Sequence, residues 1–216
     1  MSLLKNLKLR PIRFAKDEAG NMPAEGVIAS VFLVWWYVAS FQFFDAYREK
    51  NINLKAAYTV ADLISRQTNA IDANYVEGLN TLFDYLTHSN VPTWVRVTSV
   101  IWDEAEQRFE VQWSYATGEV ERLNTASLQA NANRIPQMPA GDFVTIVETN
   151  MAYEPIFNIG LNAQWYTTFI TTRPRYNACV PWERSDGTTA GCNYDPNIDT
   201  GSNIHNDGEG FVDPEA

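Results

Sequence analysis

The sequence predicts an α+β protein in which a single N-terminal helix crosses a membrane and continues as a long helix packed on an antiparallel sheet. Two observations carry this: a charge-free apolar run from Gly26 to Phe44, and four later segments rich in β-branched and aromatic residues. With 216 residues the chain has room for one span and one globular domain, but not for two large domains. Aromatic residues reach 13%, enough for a sizeable aromatic core or contact surface.

Residues 1–20 form a basic leader, in which Lys5, Lys8, Arg10, Arg13 and Lys16 outweigh Asp17 and Glu18. The chain as a whole carries −10, so everything after the leader is strongly acidic. Such a surface repels phosphate backbones, and the basic cluster sits in a short leader rather than on a domain face, which argues against nucleic-acid binding.

The run GVIASVFLVWWYVASFQFF holds 19 residues. As a helix it rises about 28 Å, close to a hydrocarbon core of about 30 Å. A cleaved secretory signal is the main rival, with Val38, Ala39 and Ser40 imitating its cleavage site. Against it, the helical pattern continues past Phe44 without a turn signal. Five cations in the leader face Arg48, Lys50 and Lys55 beyond the run, a bias that places the N-terminus inside.

Glu25 stands at the lip of the apolar stretch, where a carboxylate is costly enough to need a reason. Helix chemistry offers one: Asn21 can cap, Pro23 suits the first turn, and Glu25 lies near the positive end of the helix dipole. The wider pattern offers another. The string FAKDEAGNMPAEGVIASVF, with a basic leader ending at Gly20, Glu25 five residues later and an uninterrupted apolar segment, resembles the N-terminus of the type IV pilin superfamily. It is most similar to the TadE-like pseudopilins of the tight-adherence (Flp) pilus, although Gly26 stands where that family often has alanine or an aromatic residue. The resemblance covers residues 10 to 68. It implies a pilin-like fold, cleavage by a prepilin peptidase between Gly20 and Asn21, and a mature chain whose fifth residue, Glu25, pairs with the new N-terminal amine of a neighbouring subunit. Two opposite charges in lipid are far better together than alone. The implied partners are other pilins or pseudopilins, pilus-assembly membrane proteins, the peptidase and membrane lipid.

Past Phe44 the helix is predicted to continue to about Gln67, completing a membrane and helical region over 21–68. Tyr47, Leu54, Ala57, Tyr58, Ala61 and Ile64 supply its stripe. Small residues Ala56, Ala57 and Ala61 would let another element approach closely. An extracytoplasmic domain over 69–175 opens with a second helix, Asp72 to Thr87, which Asn90 and Pro92 end. Strands are predicted at Thr93–Trp102, Arg108–Tyr115, Asp142–Tyr153 and Trp165–Arg173, the first two forming a hairpin. In the second, Phe109, Val111, Trp113 and Tyr115 alternate with polar residues, which predicts one buried face. The remainder, 176–216, reads as a loop and a solvated acidic tail.

Cys179 and Cys192 are the only cysteines. They lack metal-ligand spacing, so a single disulfide in an oxidising compartment such as the periplasm is their natural use, with two free thiols in a reducing cytosol as the alternative. A calcium loop beginning at Asn203 fails because Pro214 stands where an acidic ligand is required. With His88 and His205 as the only histidines and no nucleophile or phosphate-loop motif, no catalytic residue, metal or cofactor is assigned. The function predicted is therefore structural, in assembly of a pilus from the inner membrane. A membrane-tethered periplasmic binding module using Trp165, Tyr166 and Trp182 is the competing class, and a tethered hydrolase the third.

Overall fold

A computed structural model describes residues 21–89, 91–157 and 160–192. They fall into two compact units: one holds the N-terminal part of α1 up to Ala46 together with Pro155–Leu161, the other runs from Tyr47 to Glu154 and onward from Asn162. Helix α1, Asn21–Ser65, is continuous over 45 residues, with Pro23 in its first turn. One helix long and apolar enough to cross a membrane is thus present near the N-terminus.

In the second unit, α1 buries Asn53, Ala56, Ala57, Val60, Ala61 and Ile64, a run at helical spacing. This corrects the predicted stripe, for Tyr47, Leu54 and Tyr58 are exposed. The small side chains decide the rotation, because Ala56, Ala57 and Ala61 let the helix lie close to the sheet where tyrosines would hold it off. Asn53 anchors the contact, donating to the Tyr166 carbonyl at 3.4 Å and accepting from the Thr168 hydroxyl at 2.7 Å.

Helix α2, Ala73–Thr87, starts where Asp72 accepts the Tyr75 N–H at 2.8 Å and ends at His88 in the left-handed region, φ 51°. It buries Val76, Leu79 and Phe83 in the same core as α1.

Four strands, β1 Trp94–Asp103, β2 Arg108–Ala116, β3 Phe143–Tyr153 and β4 Gln164–Thr172, form an antiparallel sheet in the order β2-β1-β3-β4. Each lies within one residue of its predicted bounds. Arg96 on β1 joins Glu148 on β3 across the sheet at 2.7 Å and reaches the Glu121 carbonyl at 2.8 Å.

The prediction that β2 has one buried face is overturned. Ser99 pairs with Trp113, but Val100 pairs with Val111, so Gln112 is the extra residue of a β-bulge. Trp113 and Tyr115 therefore pack in the core beneath the helices, whereas Phe109 and Val111 serve a second core on the opposite face. That face is covered by 117–141, to which the sequence assigned no element. There α3, Thr125–Gln129, is held by a reciprocal cap between Asn124 and Ser127. A short 3-10 turn follows at Ala132–Arg134. Leu123, Leu128, Ile135 and Met138 fill the space over Val100, Val144 and Ile146.

The segment after β4 is more structured than a loop. Strands β5 Trp182–Glu183 and β6 Thr189–Ala190 form a small hairpin between Cys179 and Cys192, which are joined in a disulfide with Cα atoms 5.8 Å apart. The hairpin is pinned at Ile71, whose N–H donates to the Pro181 carbonyl at 3.0 Å and whose carbonyl accepts the Glu183 N–H at 2.9 Å. Trp182 stacks on Tyr115 and tilts against Trp113, at centroid distances of 5.2 and 5.1 Å. Reducing the disulfide is expected to cost about 3 kcal/mol, the usual value for a closed loop of this length, read as a lower urea midpoint with dithiothreitol than without.

Candidate functional site

The candidate site begins with α1. From Val27 to Tyr37 every large apolar side chain is exposed, Trp35 and Trp36 included. A helix apolar on all sides belongs in a protein core or in lipid, and only 11% of its most apolar window is buried. Of the predicted processing residues, Gly20 lies outside the described residues. Asn21 is the first residue of α1 and Glu25 is exposed one turn further on. Among the described residues no hydrogen bond or ion pair involves the Glu25 carboxylate.

A buried amide lies near the C-terminal end of this apolar run. Gln42 is 0% exposed, flanked on its own face by buried Ala39 and Ala46. Its Oε1 accepts the N–H of Phe157 at 3.2 Å, which ties Pro155–Leu161 to the helix within the first unit. The sequence signal for this contact was faint: an amide in the last turn of an apolar run, and a charge-free stretch at 155–161 whose partner lies over a hundred residues away.

The remaining sites divide sharply. Cys179 and Cys192 meet as predicted. Of the aromatics considered for ligand binding, Trp165 is 61% exposed on β4, while Trp182 is 3% exposed and belongs to the core. Tyr166 stacks on Tyr153 at 5.3 Å. Two acidic residues of the β1–β2 turn find partners within it. Asp103 accepts the N–H groups of Ala105 and Glu106 at 2.8 and 3.3 Å. Glu106 pairs with Arg108. Arg108 also bonds Glu110 at 3.1 Å, and that bond raises its already high pKa, with Glu106 and Asp103 adding to the effect. In the β5–β6 turn, the Thr188 hydroxyl and N–H hold the Asp186 carboxyl below the ordinary carboxylate range.

A cleft of about 610 Å³, which sequence reasoning missed, opens beside the β1–β2 turn, with Trp102, Phe109 and Met138 on its apolar side and Gln129 and Asn133 on its polar side. His88 caps a helix and His205 lies outside the described residues, as does the stretch weighed as a calcium loop. No cluster of three metal-ligating side chains occurs among the described residues. Comparison with protein-family models, with curated proteins and with solved structures finds no match to this chain.

Proposed function

We propose that this chain is a pseudopilin-like structural and assembly component of a tight-adherence pilus, anchored in the bacterial inner membrane with its N-terminus cytoplasmic and its disulfide-bearing domain in the periplasm. The observation that carries the reading is the start of α1. Glu25 follows Asn21 by four positions and borders an exposed, charge-free helical run. A neighbouring subunit's amine, freed by cleavage after Gly20, would neutralise that carboxylate where lipid makes an isolated charge costly. Exposed Tyr47, Leu54 and Tyr58, spaced by seven and four residues, give a neighbour's helix an apolar face to pack on. The disulfide supports the periplasmic side, since such bonds persist in oxidising compartments.

Mass spectrometry of the N-terminus in cells with and without a prepilin peptidase tests this reading. A mature start at Asn21 only when the peptidase is present is expected. A leader retained in both strains would end it. Glu25→Ala and Glu25→Gln should each reduce pilus assembly about tenfold or more if the carboxylate is paired in lipid. Unchanged piliation in both would remove the pairing role. The cleft beside Trp102 favours a second reading, a membrane-tethered binding module, which a retained leader would strengthen.

A further inference from the structure

The Pro155–Leu161 segment is uncharged throughout and exposes two large apolar side chains in succession, Ile156 at 67% and Phe157 at 47%. Single exposed apolar residues are ordinary on proteins. This pair differs because of where its backbone is fixed, to Gln42 at the outer end of the apolar run.

Helix length decides the depth of that contact. The charge-free stretch is bounded by Glu25 and Asp45, and its 19 residues rise about 28 Å against a hydrocarbon core of about 30 Å, leaving no slack. If the bilayer ended before Ala39, so that the loop stood in water, only residues 26–38 would remain to span, about 20 Å, and the leader's charges would be drawn into lipid. The loop therefore sits level with the outer headgroup boundary.

Its chemistry suits that level. Unpaired backbone donors are costly near lipid, and here Pro155 has no N–H while that of Phe157 is bound by Gln42, which leaves the Ile156 N–H and the carbonyls to the headgroup water of this boundary. Aromatic and aliphatic side chains on an uncharged loop partition into the boundary between headgroups and acyl chains.

We propose that Pro155–Phe157 is a membrane-docking segment, with Ile156 and Phe157 inserted into the outer leaflet of the bilayer that α1 crosses. Gln42 is the positioning residue that holds it against the helix. The proposal rests on α1 being a membrane span, and its test separates the two.

The native cysteines are bonded to each other, so single added cysteines at Ile156, Phe157, Val34 and Ala105 can each carry an environment-sensitive fluorophore in the full chain. The labelled proteins are reconstituted in phosphatidylcholine and phosphatidylglycerol vesicles. Nitroxide lipids should quench the probe in I156C, F157C and V34C, while aqueous iodide should quench that in A105C several times more strongly than that in I156C. Iodide quenching of I156C and F157C to the level of A105C, with V34C still lipid-quenched, would overturn the docking loop and leave the span intact. Iodide quenching of V34C would overturn the span and the loop together. Shielding of I156C and F157C from both quenchers would show protein rather than lipid over the loop, and would also overturn it.

Discussion

Replacing Trp182 with alanine is expected to destabilise the sheet-bearing unit by about 3 to 5 kcal/mol, the usual range for emptying a buried aromatic site. The side chain is buried between Trp113 and Tyr115 on β2, and aromatic pairs of this kind contribute about 0.5 to 1.5 kcal/mol each beyond their area. Its backbone neighbours hold the α1–α2 connection through Ile71, and the Trp113 indole donates to the Val180 carbonyl at 2.9 Å. The cavity left by truncation would therefore open between β2, the α1–α2 connection and the disulfide-bonded hairpin, where packing cannot readily close it. Urea unfolding of the full chain in detergent, with the disulfide intact, measures the loss. Trp165→Ala, at an exposed site on β4, should change stability by less than about 0.5 kcal/mol. Equal effects from the two would mean that the hairpin is not part of the core.

The second large effect concerns the exposed apolar half of α1. Val31→Asp combined with Val34→Asp places two carboxylates in the middle of the run, each opposed by about 2.5 to 3.5 kcal/mol at the centre of a bilayer. The summed penalty of about 5 to 7 kcal/mol should remove the chain from the carbonate-resistant membrane fraction. The same pair of changes at Tyr47 and Thr59, beyond the first flanking charge, should leave fractionation unchanged. If the Val31 and Val34 variant stays embedded while disulfide formation is normal, α1 does not cross lipid.

Much of this architecture was legible because it rests on local rules. Asp72 before an apolar repeat marked the start of α2, and strand bounds followed from β-branched and aromatic runs between turn residues. The rotation of α1 was not legible. Its sequence between Tyr47 and Ile64 has apolar residues on more than one face, and only the sheet chooses the alanine face over the tyrosines. The cover over 117–141 escaped notice because a five-residue helix carries almost no periodicity. The hairpin at 182–190 looked like loop because its order comes from a disulfide and from Ile71, over a hundred positions earlier. Along the apolar run, Glu25 is legible as a charge at its edge, whereas Gln42 and Phe157 meet only in three dimensions.

The bulge at Gln112 has a consequence for how β2 tolerates change. Val111 and Trp113 already point to opposite sides of the sheet, as adjacent residues in a regular strand would. Excising Gln112 would thus straighten the ribbon while leaving Phe109, Val111, Trp113 and Tyr115 in their present compartments. Excising Ser114 instead would turn Tyr115 away from Trp182 and orphan the Thr98 hydroxyl that Ser114 meets at 2.9 Å. Evolution could shorten this strand at one position and hardly at its neighbours.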